Sequence, residues 1–239
     1  PQLATAWEVS PDGLRYSFTL REGVKWHDGA PFTSSDVARS IELLKQYHPR
    51  GRNTFANVER VETPDDLHAV VVLSKPAPYL LTAFAAQESP IVPAHIFAAD
   101  ADPAANPAVN APIGTGPFVF KEWARGSHIV YERNPDYWDA GKPYIDRLVV
   151  RIIPDPAARS AAIETGEVDI GGETPVSRGD VDRLRENPQL GFETRGNEYL
   201  GSVARIEFNL ENPYLKDLRV RQAIAHAIDR NVILDVVYY

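Results

Sequence analysis

The side chains best suited to metal ligation or proton transfer near neutral pH are six histidines, His27, His48, His68, His95, His128 and His226. No two stand at the i,i+4 spacing that places a pair on one helix face, so they predict scattered surface or strand positions and no metal site. Paired carboxylates such as Asp65 and Asp66 fall in turn-like stretches, where side-chain oxygens cap backbone amides without any acid–base role. The patterns GxGxxG, GxxxxGK[ST] and GxSxG are absent, and serine, histidine and aspartate form no local arrangement that would activate a nucleophile. Two loops carry binding chemistry instead. Residues 47–57, YHPRGRNTFAN, lack a hydrophobic period and hold Arg50, Arg52 and, after Tyr47, a single large aromatic, Phe55. Residues 171–175, GGETP, hold Glu173, suited to an amine or cation, beside Thr174.

The elements that must position these loops are readable from period and punctuation. Residues 14–20 alternate apolar and polar after a Ser10-Pro11-Asp12-Gly13 turn, and residues 24–26 predict a second short strand. Thr33 with Asp36 forms a capping-box pattern, and Phe32 with Val37 a hydrophobic staple; Val37, Ile41 and Leu44 then line one helix face. Residues 58–63 and 68–74 predict a hairpin closed by Pro64-Asp65-Asp66, residues 78–87 a short apolar helix, and Pro93 the start of a helical turn. Residues 99–112 read as an extended surface connection. Then Gly114, Thr115, Gly116 and Pro117 predict a bend entering a hairpin over Phe118, Phe120, Ile129 and Tyr131. Residues 145–153 predict a strand buried on at least one face, and Asp155 with Pro156 a helix over 157–165 that Gly166 ends. A strand at 168–170 places Glu173 and Thr174 at a strand end, where open sheets hold ligands. Ser177 with Asp180 caps a helix to Glu186, strands follow near 190–194 and 199–209, a helix spans 217–228, and Asp229 begins another.

The bulk numbers exclude more than they assign. With 239 residues the chain can bury one large core or two smaller ones, and a net charge of -8 without a basic stripe argues against nucleic-acid binding. Cysteine is absent, which removes disulfides and thiolate metal sites. Methionine is absent too, and the first residues already look structured, so the chain is expected to be an excised fragment.

Five segments in order resemble one family, the extracellular solute-binding proteins of family 5, which serve oligopeptide, dipeptide and nickel ABC importers. They are LATAWEVSPDGLRYSFTLREGVKWHDGAPFTSSDV at 3–37, APIGTGPFVFKEW at 111–123, ERNPDYW at 132–138, IPDPAARSAAIETGEVDI at 153–170 and DLRVRQAIAHAIDR at 217–230. The resemblance implies an α/β fold of mixed sheets and helices, a partial type II periplasmic-binding fold with an extra subdomain in the first lobe. Residues 1–112 would form that subdomain, 113–208 part of the first lobe, and 209–239 the crossing into a truncated second lobe. Ligand contacts carried over by similarity are Arg52 and Phe55, placed like an arginine and a tryptophan of nickel-binding relatives. To these are added Gln87, where those relatives hold a second arginine, and Glu173 with Thr174, in a loop that meets the ligand backbone in oligopeptide-binding relatives. Gln87 in place of arginine counts against a metal chelate. Gly114, Thr115, Gly116 and Asn209 would serve as hinge.

The function so implied is capture of a small polar solute, most readily a short peptide, between two lobes, without catalysis and without a cofactor. The implied partners are the permease subunits of an ABC transporter, at the periplasmic or outer face of a bacterial membrane, with attachment only through the transporter or a lipid anchor. A nickel chelate, an opine or a sugar is the alternative ligand. A sensor or adaptor role and a carboxylate-dependent hydrolase are the alternative functions.

Overall fold

A computed structural model describes residues 2–85, 88–98, 102–172, 175–193, 195 and 205–238. The chain divides into two compact units, Pro1–Ile152 and Ile153–Tyr239, each taken here by itself.

The first unit holds two antiparallel sheets. Strands β1 (Ala4–Val9), β2 (Arg15–Leu20), β3 (Val58–Asp65) and β4 (His68–Leu73) pair in the order β1-β2-β4-β3. The turn joining β1 to β2 is built by side chains: Asp12 Oδ1 accepts the Leu14 N–H at 3.0 Å, Ser10 Oγ accepts the Arg15 N–H at 2.9 Å, and Gly13 takes φ +69. β1 is the strand that sequence reading missed. Its segment ATAWEV begins with small residues and stays mostly exposed, so it carries little alternation. β3 and β4 form the expected hairpin, with the Asp65 carboxylate accepting the Leu67 N–H at 2.9 Å.

Helix α1 (Ser34–Tyr47) lies against this sheet through Val37, Ile41 and Leu44, as its period predicts, and burial of each such side chain is worth roughly 1.5–3 kcal/mol. The carboxylate of Asp36 accepts the Thr33 N–H at 2.8 Å, which is one half of the capping box. It also accepts the Trp26 indole N–H at 3.2 Å and the Ala94 N–H at 2.7 Å, so a carboxylate only 3% exposed is fully satisfied. Ser40 adds a second tie, accepting the Val92 N–H at 2.8 Å.

Four expectations change around the first sheet. Residues 24–26 form a single bridge, Lys25 to Pro31, and no strand, because Pro31 has no N–H to extend a ladder and Val24 and Trp26 both turn inward. Residues 47–57 contain one helical turn, α2 (Gly51–Thr54). The helix expected over 78–87 is, within the described residues, the short α3 (Leu80–Ala83). Residues 102–110 are two 3-10 turns, Pro103–Ala105 and Pro107–Val109, and not an extended connection. In each, the side chain ahead of the proline, Asp102 or Asn106, accepts an N–H two residues on.

The second sheet, β5 (Phe118–Ala124), β6 (His128–Arg133) and β7 (Arg147–Arg151), is ordered β5-β6-β7. Its first hairpin turns at Gly126, φ +77, with Phe120 and Tyr131 meeting edge to face at 6.1 Å. β7 exists where expected, but its burial does not. Among the described residues it is an edge strand paired only with β6, and Leu148, Val149 and Val150 remain 37%, 44% and 43% exposed.

The second unit is helical in its described part. α4 (Pro156–Glu164) starts on Asp155, whose Oδ1 accepts the Ala158 N–H at 2.7 Å, with Pro156 at the first position; Gly166, φ +70, follows its end. Asp155→Ala is expected to lower stability by about 1 kcal/mol and Asp155→Ser by much less, read as a shift of the urea midpoint at constant slope. α5 (Arg178–Arg185) is tied to α4 by Asp180, whose Oδ2 accepts from Ser177 at 2.7 Å and from Ser160 at 2.8 Å; the Ser177 bond is the main cause holding that carboxyl below its usual range. α6 (Leu218–Ala227) and α7 (Arg230–Ile233) begin on Asp217 and Asp229, each accepting backbone N–H groups. The strands expected at 168–170, 190–193 and 205–209 form no ladder, since no strand stands beside them among the described residues, and the Val168 N–H donates to Ala162 O at 3.1 Å instead. Residues 194 and 199–204 of those expected strands lie outside the described residues.

Candidate functional site

The corner between α1 and α2 is built on a close approach. A Cβ at Gly51 would stand 1.9 Å from the Leu44 carbonyl oxygen, so only glycine lets α2 fold back on the last turn of α1. Four residues on, the Phe55 N–H donates to Gly51 O at 2.9 Å, and the ring drops into the core, 0% exposed, 5.9 Å from the ring of Phe84. Arg52 lies in the same short turn. It is exposed and makes no hydrogen bond or ion pair among the described residues, which leaves a guanidinium available to an anion. So the structure brings Arg52 and Phe55 into one turn and points them to different environments.

Its neighbour Arg50 is engaged, with its guanidinium 2.5 Å from the Glu88 carboxylate, which also accepts from Thr54 Oγ1 at 2.9 Å. Burial pushes the Glu88 carboxyl up, but the hydrogen bonds from Arg50 and Thr54 outweigh it and hold the group below its usual range. Tyr79 adds a bond from its hydroxyl to Thr54 O at 3.2 Å. The side chains of Arg50, Thr54, Tyr79 and Glu88 thus brace the turn that presents Arg52. Sequence reading did not find Glu88 or Tyr79, because neither shares a local pattern with the loop it braces.

Thr115 lines a groove of ≈ 660 Å³ whose walls include Trp7, Phe18, Leu81, Phe84 and Ile91. The glycines beside it are not held to glycine by dihedral freedom, for neither Gly114 nor Gly116 has a positive φ; a Cβ at Gly116 would meet nothing within 4 Å, and one at Gly114 would meet His27 Cε1 at 3.4 Å. His27 reaches both. Its backbone N–H donates to Gly114 O at 2.9 Å, its Nδ1 lies 3.1 Å from Gly114 N, and its Nε2 lies 3.0 Å from Gly116 O. Asn134 Nδ2 donates to the same Gly116 carbonyl at 3.0 Å. His27 is therefore a half-buried clasp, where its sequence context suggested a surface or strand position. In the second unit Asn209 closes a turn, its Oδ1 accepting the Glu211 N–H at 2.9 Å. Gln87, Glu173 and Thr174 lie outside the described residues. Among the described residues no group of three metal-ligating side chains converges, and no helix is long and apolar enough to cross a membrane.

The chain belongs to the bacterial extracellular solute-binding proteins, family 5, whose middle region matches residues 1–239. Within that class it is similar to a Brucella ovis protein named for peptide binding in an ABC transporter, at 36% identity over 245 residues. That match covers 99% of this chain and 44% of the Brucella protein, so the chain spans under half the length of that relative. Among solved structures it is similar to the oligopeptide-binding protein AppA of Bacillus subtilis in complex with a nonapeptide, with a TM-score of 0.82 and 30% identity over 99% of this chain and 46% of that one. It is also similar to NikZ of Campylobacter jejuni in complex with Ni(L-His), with a TM-score of 0.78 and 29% identity over 100% of this chain and 46% of that one. The partial type II periplasmic-binding fold expected from the sequence is thereby established.

Proposed function

We propose that this chain is part of the substrate-binding component of an ABC-type importer, and that the complete protein captures a short peptide in a cleft between two lobes. The observation that carries the reading is the likeness, along nearly the whole of this chain, to peptide-binding relatives, the nonapeptide complex among them. In this reading residues 1–112 are the extra subdomain of the first lobe, 113–208 part of that lobe, and 209–239 the crossing into the second. Arg52, Gln87, Glu173 and Thr174 supply ligand contacts, with Phe55 seating the turn that carries Arg52. Gly114, Thr115, Gly116 and Asn209 act as hinge positions. The unpaired Arg52 guanidinium suits a peptide carboxylate, and Gln87 offers amide hydrogen bonds in place of a charge. The protein works at the periplasmic or outer face of the membrane and presents its closed form to permease subunits. Ligand contacts to both lobes are what favour that closed form.

Native mass spectrometry of the full-length protein as purified tests this, and short peptides are the expected retained masses. Retention of a metal chelate, an opine or a sugar would keep the receptor and replace its ligand, and cleavage of a peptide panel would replace the receptor by a hydrolase. The 239-residue chain alone is expected to bind a dipeptide only weakly, since it holds few of the contacts that bridge two lobes; micromolar affinity by calorimetry would contradict that expectation.

A further inference from the structure

We propose that His27 is a proton-dependent clasp, whose ring binds the Gly114 amide, and so tightens the hold on residues 114–116 at the turn that follows β2, only while its Nδ1 carries no proton. The partners fix the tautomer. A backbone N–H can only donate, so the Gly114 N–H at 3.1 Å requires Nδ1 to accept, and a carbonyl can only accept, so Gly116 O at 3.0 Å requires Nε2 to donate. A neutral imidazole protonated at Nε2 meets both demands at once. A doubly protonated ring has no acceptor, turns Nδ1–H toward Gly114 N–H, and loses that bond. Imidazoles gain this proton between about pH 5 and 8.

Nothing ionisable on the clasped segment competes for the ring. Residues 112–117 read PIGTGP, and the third group at the clasp, Asn134, is a neutral amide that shares Gly116 O. On the turn of His27 itself, Lys25 and Asp28 are the charged neighbours in the chain. Asp28 is committed elsewhere, with its Oδ2 2.7 Å from Nε2 of His95 and its Oδ1 accepting the Ala30 N–H at 3.1 Å. The charged residues next to Asn134 in the chain are Arg133, whose guanidinium is engaged by Asp146 at 2.9 Å and by Tyr144 O at 3.0 Å, and Asp136. Two bonds survive protonation, the backbone one from the His27 N–H to Gly114 O at 2.9 Å and the one from Nε2–H to Gly116 O at 3.0 Å, so acid would loosen the clasp at Gly114 without opening it. Since Thr115 lies between the two clasped glycines and in the wall of the ≈ 660 Å³ groove, that wall is what the proton adjusts.

The test is hydrogen exchange of the Gly114 amide in the 239-residue chain at about pH 8 and about pH 5, corrected for intrinsic rates, with the ring nitrogen shifts of His27 followed by NMR. Protection at Gly114 is expected to fall about tenfold toward the lower pH, the worth of one ordinary hydrogen bond. The Trp26 amide, bonded to Ala30 O at 2.8 Å, is expected to keep its protection. His27→Asn, whose amide oxygen can accept in place of Nδ1 and does not titrate, is expected to make Gly114 protection independent of pH. Equal protection of Gly114 at both values in the unaltered chain, a ring protonated at Nδ1 in the neutral form, or a matching loss at Trp26 would each overturn the proposal. If His27→Asn does not fold, the shifts and exchange of the unaltered chain decide it alone.

Discussion

Gly51→Ala is expected to destabilise the first unit by ~3 kcal/mol or more, the upper end of what overpacking costs. The strain is not conformational, because Gly51 is not among the glycines with positive φ. It is spatial: the added carbon would lie 1.9 Å from the Leu44 carbonyl oxygen, 2.6 Å from its carbon and 2.9 Å from the Cβ of His48. Two of those atoms are backbone of the last turn of α1, which cannot rotate aside as a side chain could. Either that turn unwinds or α2 lifts away, and lifting α2 pulls on the Phe55 amide that bonds to Gly51 O. Urea denaturation reads the loss directly. A change below about 1 kcal/mol would mean that the α1–α2 corner is looser than this contact requires.

Phe55→Ala is the second large effect, with an expected loss of about 3–5 kcal/mol, against less than about 1.5 kcal/mol for Phe55→Leu. The ring is wholly buried and is bracketed by the chain of contacts from Phe84, which in turn meets Phe18 edge to face at 5.1 Å. Truncation leaves a cavity at the centre of the cluster, whereas leucine refills most of it. The pair of variants also separates two roles. A ring that met ligand from the surface would leave the urea midpoint nearly unchanged when truncated and would reveal itself only in binding, so a small stability loss for Phe55→Ala would return the residue to the ligand.

What could be read from sequence was local. The Thr33 and Asp36 pair announces the start of α1 because cap and carboxylate are three residues apart, and the Asp155-Pro156 start of α4 is equally self-contained. The β3–β4 and β5–β6 hairpins were legible because alternation and a turn occur together in each. β1 was not, since its pairing with β2 supplies what its own composition lacks. The strands expected at 168–170 and 205–209 show the reverse case, β-like composition without a neighbouring strand among the described residues to bond to. At the candidate site, sequence marked the loop that holds Arg52 but could not say that Phe55 faces inward, because the rings it meets come from other elements. His27 was illegible for a plainer reason, as its side-chain partners lie 87 and 89 residues further along the chain.

The Asp36 carboxylate has a consequence for the order in which this unit can assemble. Two of its donors, Thr33 and Trp26, come from the chain just ahead of α1, so the helix can be started with the carboxylate still wet. The third, the amide of Ala94, arrives from 58 residues away. Drying a carboxylate before its donors are in place costs several kcal/mol. Asp36 therefore acts as a checkpoint: the helix may form early, but it cannot seal against the core until the segment carrying Val92 and Ala94 has come home.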